Sequence, residues 1–242
     1  MKDALYVFRK GFNYSQDGPG NRLIYHLKGC NLKCPWCSNP EGMRREPDDQ
    51  PTPVSDLVAE AVSCIPMFFD GGGVTLTGGE VCMQSEAATS FLRQLKENGI
   101  HTAVETNASL PGFRDLLPFT DYLMVDWKQT DPERAEKVIG AGTEPIRGNF
   151  LYALSGGYTL HVRIPLIHGF NDGKVDRDAT VAFFASLPGT FDVEILPYHE
   201  YGKEKWQKLG RDYTVRDGFV SSETLNAFRF ALENAGIRVI KT

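Results

Sequence analysis

The sequence predicts an α/β protein, a partial (β/α)6 barrel of strand–helix units. Three observations predict it. Apolar runs rich in β-branched residues alternate with helical stretches along most of the 242 residues, and that alternation calls for parallel strands with helices outside them. About six such units can be traced, short of the eight that close a barrel. Polar residues fall at or just past the strand ends, where the chemistry of such folds gathers.

The elements follow in order. "RLIYHLKG" (22–29) reads as a buried strand running into a loop with three cysteines. "MRREPDDQPTP" (43–53) is a polar, proline-rich connector. Ser55 suits the N-cap of a helix from Asp56 to about Cys64, because its hydroxyl can accept from an N-terminal N–H. "GVTLTGG" (73–79) is a strand, and 84–98 a helix that Asn98-Gly99 stops. "HTAVET" (101–106), "DYLMVDWK" (121–128), "YTLHVRIPLI" (158–167) and "FDVEILPY" (191–198) are further strands. Helices fit about 131–139, 145–155, 176–187 and 221–235, while 199–220 is turn-rich with no clear element. No repeat, low-complexity run or linker interrupts the chain, which reads as a single domain over 1–242.

Composition excludes several classes. Hydrophobic residues make up 41% and charged residues 24%, with a net charge of −5. Nothing there favours a nucleic-acid partner or an anionic membrane surface. No stretch reaches the ~18 apolar residues of a membrane helix, and "MKDALYVFRKGF" lacks the form of a signal peptide. The expected compartment is the cytoplasm, where thiols stay reduced.

"GCNLKCPWCSNPE" (29–41) places Cys30, Cys34 and Cys37 in a C-x3-C-x2-C pattern. A structural zinc site uses four ligands and a redox pair uses two. Three thiolates suit a four-iron cubane with one iron left open to bind and activate a ligand. Cys34 and Cys37 alone would read as a redox or zinc pair. Cys64, on a helix among apolar residues, reads as a buried packing thiol, and Cys82, after the Gly-Gly-Glu turn, as packing nearer the rim.

C-x3-C-x-aromatic-C after the first strand resembles the signature of radical S-adenosylmethionine (SAM) enzymes. "SQDGPGNRLIYHLKGC", "VTLTGGE", "VETN", "MVDWK", "VRIPLIHGFND" and "ILPYHEYGKEKWQKLG" narrow the resemblance to glycyl-radical-enzyme activating enzymes of the short type. The matches keep their order over residues 15–210. The resemblance implies one [4Fe-4S] cluster on Cys30, Cys34 and Cys37, with SAM chelated by the open iron. It implies reductive cleavage of SAM and removal of a glycine Cα hydrogen from a partner glycyl radical enzyme. A one-electron donor such as flavodoxin or ferredoxin is implied as well.

By resemblance, Gly78, Gly79 and Glu80 approach the SAM amino group. Asp126, Trp127 and Lys128 belong to the stretch beside its ribose and carboxylate, with Asp126 and Lys128 in the catalytic role of orienting it. Alternation along that strand puts those two on one inward face. Trp36, Cys37 and Ser38 run along the adenine, and His199 lies beside the sugar. Arg163 reaches SAM or the partner, or closes a structural salt bridge. Glu105 and Thr106, with Met124 and Asp126, match a monovalent-cation site. Glu105 stands where the pyruvate-formate-lyase-type members have aspartate, which puts the cation geometry in question. Asp17, in Asp17-Gly18-Pro19-Gly20, matches the segment that meets the partner's glycyl loop; read alone it is a turn.

The ferredoxin-like insert of many activases is absent, since a helix begins soon after Cys37 and only Cys64 and Cys82 remain to bind metal. "CSNPE" also departs from the "CHN" of pyruvate formate-lyase activators, leaving the partner's identity open. Two alternatives stand beside this reading. One is a radical SAM enzyme acting on a small molecule, such as a deazaguanine-forming synthase. The other is a non-catalytic metal-binding module.

Overall fold

A computed structural model describes residues 3–240; Met1, Lys2, Lys241 and Thr242 lie outside the described residues. The chain is α/β, with a mostly parallel set of strands. It divides into two compact units: 1–31 with 41–124, and 32–40 with 125–242.

The first unit opens with β1 (Ala4–Leu5), β2 (Val7–Tyr14) and β3 (Asn21–Leu27). β4 (Thr52–Pro53) and α1 (Val54–Ser63) follow, then β5 (Gly73–Gly78), α2 (Ser85–Glu97), β6 (His101–Thr106) and α3 (Phe113–Leu116). Its strand order is β2-β3-β5-β6. β3, β5 and β6 pair in parallel, with Leu23 opposite Val74 and Val74 opposite Thr102. β2 pairs antiparallel with β3, and its register shifts between Val7 and Arg9. Apolar positions of α2 (Ala88, Phe91, Leu92, Leu95) recur at helical spacing and are wholly buried. Phe91 meets Tyr25 of β3 edge-on at 5.5 Å and 88°, an arrangement that complements the ring quadrupoles.

β7 (Tyr122–Asp126) carries the division between the units. The second unit continues with α4 (Pro132–Ile139), α5 (Glu144–Ser155), β8 (Leu160–Leu166), α6 (Lys174–Ala185), β9 (Phe191–Pro197), α7 (Lys203–Lys208), α8 (Ser222–Asn234) and β10 (Arg238–Ile240). β8, β9 and β10 pair in parallel. Its core centres on Trp127, 1% exposed, stacked on Phe183 at 4.4 Å and 18° with Phe150 and Phe184 edge-on.

Several sequence expectations are corrected. α1 begins at Val54, with Pro53 and not Ser55 at its N-cap; no side chain caps it. Proline already holds φ near the helical value, here −55°, so the chain turns into the helix without a hydroxyl. Cys64 is not buried within that helix but half-buried at its C-cap, beside Ser63. The 199–220 segment contains α7. The first strand lies at Asn21–Leu27, after β2, which the sequence did not announce.

Where helix signals were strong they decide the boundaries. Asp131 caps α4 by accepting from the N–H groups of Glu133 (2.9 Å) and Arg134 (3.1 Å). Gly140 ends it at φ +83°. Ser221 caps α8 through the Thr224 N–H at 3.0 Å. Between Cys37 and α1 the chain holds one 3-10 turn (Pro40–Gly42) and β4, with no inserted cluster domain. No helix among the described residues is long and apolar enough to cross a membrane.

Candidate functional site

In the first unit β3 delivers the chain to Gly29, which turns at φ +93°. Gly29 N–H donates to the Gly42 carbonyl (2.8 Å), and Cys30 N–H to the Met43 carbonyl (3.1 Å). The Gly29 carbonyl accepts from Glu80 N–H at 2.7 Å. Gly79 lies so close that a Cβ there would stand 2.2 Å from the Gly29 carbonyl oxygen and 2.7 Å from that of Gly42. Gly78 takes φ +112° against the end of β3. The Gly-Gly pair is thus demanded by close backbone approach beneath Cys30.

Glu80 is wholly buried. Its carboxylate accepts from Thr106 Oγ1 (2.5 Å), Cys82 N–H (2.9 Å) and Asn107 N–H (2.8 Å). Thr106 is 2% exposed and also accepts from Ala108 N–H at 3.0 Å. These two expected SAM contacts therefore brace the ends of β5 and β6, and their side chains are committed to the protein. Asn107, bonded to Asn31 at 3.1 Å, carries that brace to the start of the cysteine loop. Glu105 alternates to the other face of β6 and accepts from Thr77 Oγ1 at 2.5 Å. Cys82 is buried 3.5 Å from Thr106 Oγ1. Burial first, and the Glu80 charge second, push its thiol pKa far up. It is a poor thiolate donor.

Asp17 sits in a turn held from below. Arg22, without solvent exposure, donates from Nε to Thr75 Oγ1 (2.7 Å), from Nη1 to the Pro19 carbonyl (3.1 Å) and from Nη2 to the Val74 carbonyl (2.7 Å). Burial lowers its pKa to about 10, with the charges of Asp121 and Asp17 opposing that fall. It stays protonated at neutral pH. Asn13 Nδ2 donates to the half-buried Asp17 carboxylate at 2.6 Å.

In the second unit the loop continues through Cys34 and Cys37. Lys33 N–H donates to the Ile139 carbonyl at the end of α4 (2.9 Å), and Cys37 N–H to the Cys34 carbonyl (3.1 Å). Asn39 N–H points at Cys37 Sγ at 3.4 Å, the kind of contact that steadies a thiolate. Cys34 is buried and Cys37 half-buried. Trp36 packs on Phe170, ring centroids 4.7 Å apart.

Asp126 and Lys128 meet at 2.5 Å, both mostly shielded from solvent. Asn171 Nδ2 holds the Lys128 carbonyl at 2.9 Å. Trp127 between them points into the core, with Nε1 bonded to Thr130 Oγ1 at 3.2 Å, so only its backbone is left to face a ligand. Arg163, expected at SAM, at the partner or in a salt bridge, forms the bridge: Nε meets Glu194 Oε2 at 3.1 Å, both side chains 8% exposed. His199 stacks on Tyr201 at 4.1 Å and 19°, and burial lowers its pKa.

Sequence reasoning gave no individual roles to a further group. Trp206 Nε1 donates to the Cys37 carbonyl at 2.9 Å, Lys205 Nζ to the Ser38 carbonyl at 2.7 Å and Arg211 Nη1 to the Pro40 carbonyl at 3.0 Å. A Cβ on Gly202 would stand 2.3 Å from the Cys37 carbonyl oxygen. The signal was present in "YGKEKWQKLG": donor-rich side chains in a stretch too short to build a core.

Among the described residues no three His, Cys, Asp or Glu side chains converge as the ligands of one metal ion would. Thiolates of a cubane bind separate irons and need not converge so. None of the three loop cysteines is in a disulfide, and three thiols on one loop fit such a cluster.

The chain matches the Radical SAM superfamily model over residues 24–182. It is 34% identical over 211 residues to the pyruvate formate-lyase-activating enzyme of Staphylococcus aureus (strain USA300), covering 83% of this chain and 84% of that protein. Among solved structures it resembles a domain of pyruvate-formate lyase-activating enzyme from Bacteroides vulgatus. There the TM-score is 0.59 at 25% identity, over 70% of this chain and 98% of that one. A radical SAM methyltransferase from Sphaerobacter thermophilus shares the fold, with TM-score 0.65 at 19% identity, over 96% of this chain and 72% of that one. A three-thiol loop follows the first parallel strand in this fold, and with the family match and the 34% identity the chain belongs to the radical SAM superfamily, in the family of the pyruvate formate-lyase-activating enzymes.

Proposed function

We propose that this protein is a glycyl-radical-enzyme activase, with 1–242 acting as one catalytic domain. The observation that carries the reading is the 34% identity over 83% of the chain to a pyruvate formate-lyase-activating enzyme. The geometry agrees with it. Three thiols stand on one braced loop, while Cys82 is buried and Cys64 caps a helix.

When bound, a [4Fe-4S] cluster would supply the one electron that cleaves the C5′–S bond of SAM with loss of methionine, the chemistry by which a glycine Cα hydrogen would be removed. The chain's residues do the rest. Cys30, Cys34 and Cys37 hold the cluster. Gly78 and Gly79 offer backbone groups to the SAM amino group, since the Glu80 and Thr106 side chains are closed off in their own network. Lys128, held by Asp126, presents a fixed positive charge to the SAM carboxylate, and Asp126 an acceptor to the ribose hydroxyls. His199, neutral at pH 7, and the Trp36 ring border the nucleoside. Glu105, held by Thr77, offers an oxygen to a monovalent cation, a hard ion that prefers such donors. Asp17 meets the partner's glycyl loop.

The protein partner is a glycyl radical enzyme, and the electron comes from a small donor such as flavodoxin or ferredoxin. The site of action is the cytoplasm, away from membrane and nucleic acid. The test is anaerobic turnover of SAM by reconstituted protein with dithionite, with and without S. aureus pyruvate formate-lyase as probe. The reading expects slow 5′-deoxyadenosine release alone and faster release with the probe. Release stimulated only by a small molecule would overturn it.

A further inference from the structure

We infer that the segment 202–211 is a clasp that fixes the end of the cluster loop, with Trp206 and Lys205 as its positioning residues. The inference rests on the reading that the loop 30–37 carries the cluster. Backbone carbonyls in irregular loops need donors from elsewhere. Here the carbonyls of Cys37, Ser38 and Pro40 each take a side-chain donor from one short stretch. The stretch is tied to itself as well, Arg211 N–H donating to the Trp206 carbonyl at 3.0 Å. Gly202 lets α7 approach the Cys37 carbonyl more closely than any Cβ would permit.

The consequence is twofold. Cys37 is the last of the three thiols, and between it and α1 the described chain holds only the short turn Pro40–Gly42 and the two-residue β4. The clasp replaces that missing support and sets the direction of Cys37 Sγ, which Asn39 N–H then meets. It also brings the Lys205 ammonium to the loop. A cation near a cluster favours its reduced, more negative form. The same segment follows His199 after two residues, so one stretch of chain serves both the nucleoside border and the cluster loop.

The test uses full-length protein reconstituted anaerobically with iron and sulfide. Iron release to a ferrous chelator is followed by absorbance, and the midpoint potential by titration. Trp206→Phe keeps an aromatic ring but loses the indole donor together with part of the indole's packing surface. It is expected to release iron about five- to tenfold faster, with the tenfold limit equal to about 1.4 kcal/mol, and to leave the potential unchanged. Lys205→Met should release iron faster and lower the potential; Lys205→Arg should restore both. Wild-type release rates in Trp206→Phe and Lys205→Met overturn the clasp. An unmoved potential in Lys205→Met overturns its electrostatic half. Failure of the wild-type protein to take up iron would overturn the cluster reading itself, and that result precedes any variant.

Discussion

Thr75 Oγ1 accepts a hydrogen bond from the buried Arg22 Nε at 2.7 Å and donates its own hydrogen to the Asp17 carbonyl at 2.7 Å. A guanidinium without solvent exposure thereby shapes the turn 17–20 from beneath, through Thr75 at one end and the Pro19 carbonyl at the other. Thr75→Val is nearly isosteric and deletes that link. It should leave iron content and uncoupled SAM cleavage within about twofold of wild type. It should weaken binding of the glycyl radical enzyme by about 0.5–1.5 kcal/mol, with Thr75→Ser restoring it. Calorimetric titration with S. aureus pyruvate formate-lyase is the check. Equal loss of SAM cleavage would place Thr75 in the SAM site instead.

The cysteines divide three against two. Alanine at Cys30, Cys34 or Cys37 should abolish cluster binding, whereas Cys64→Ala should keep full iron content. Cys82→Ala should keep it too, at a stability cost of about 1 kcal/mol for the small cavity. Iron and sulfide assays after reconstitution decide it. Loss of iron in a folded Cys64→Ala or Cys82→Ala protein would contradict the three-ligand site.

Lys128→Met removes one member of a shielded ion pair and the charge offered to the SAM carboxylate. SAM affinity should fall by roughly 1.5–3 kcal/mol, about ten- to a hundredfold. Equilibrium binding to reconstituted protein measures it. Unchanged affinity would restrict the Asp126–Lys128 pair to a structural role.

Glu105 carries the cation question. If its carboxylate holds a monovalent ion beside SAM, affinity for SAM should differ between sodium, potassium and a bulky organic cation at one ionic strength. Glu105→Gln should abolish the difference. Identical affinities in all three salts would assign Glu105 a structural role, with Thr77 as one of its partners.

His199 and His101 both have pKa values lowered below 6.5 by burial, and for His101 the Arg22 charge adds to the fall. The unfolded chain therefore takes up protons first as pH falls through 6.5, and stability should decline below that point. Above it both states are neutral, and the two histidines add no pH dependence. His199→Gln should flatten the decline between pH 7 and 5 in thermal melts. A slope unchanged by that variant would assign the acid sensitivity elsewhere.

The sequence disclosed the alternation of strands and helices because six of the parallel strands are apolar runs bounded by strong helix signals, such as Asp131 and Gly140 around α4. The cysteine spacing announced its chemistry directly. β2 stayed hidden, since "VFRKGFNY" places most of its residues in solvent and shows no buried face. α7 stayed hidden for another reason. Six residues are too few to form a helix unaided, and its contacts run to a loop some 165 positions away in sequence. Glu80, Thr106 and Trp127 show a further limit. A residue at a strand's end can turn outward to the rim or inward to the packing, and only the fold shows that these three turn inward. Arg22 illustrates the reverse case: a lone cation opening an apolar strand was the visible trace of the buried support under Asp17.

The central claim is that this protein removes a hydrogen atom from a glycine Cα of a partner enzyme. The most direct measurement is isotope transfer under anaerobic conditions. S. aureus pyruvate formate-lyase carrying Cα-deuterated glycine is mixed with reconstituted protein, SAM and dithionite, and the 5′-deoxyadenosine is analysed by mass spectrometry. The account predicts one deuterium in the 5′-deoxyadenosine, matched by a glycyl radical signal in electron paramagnetic resonance. Unlabelled 5′-deoxyadenosine with no glycyl radical, from protein that cleaves SAM normally, would contradict it.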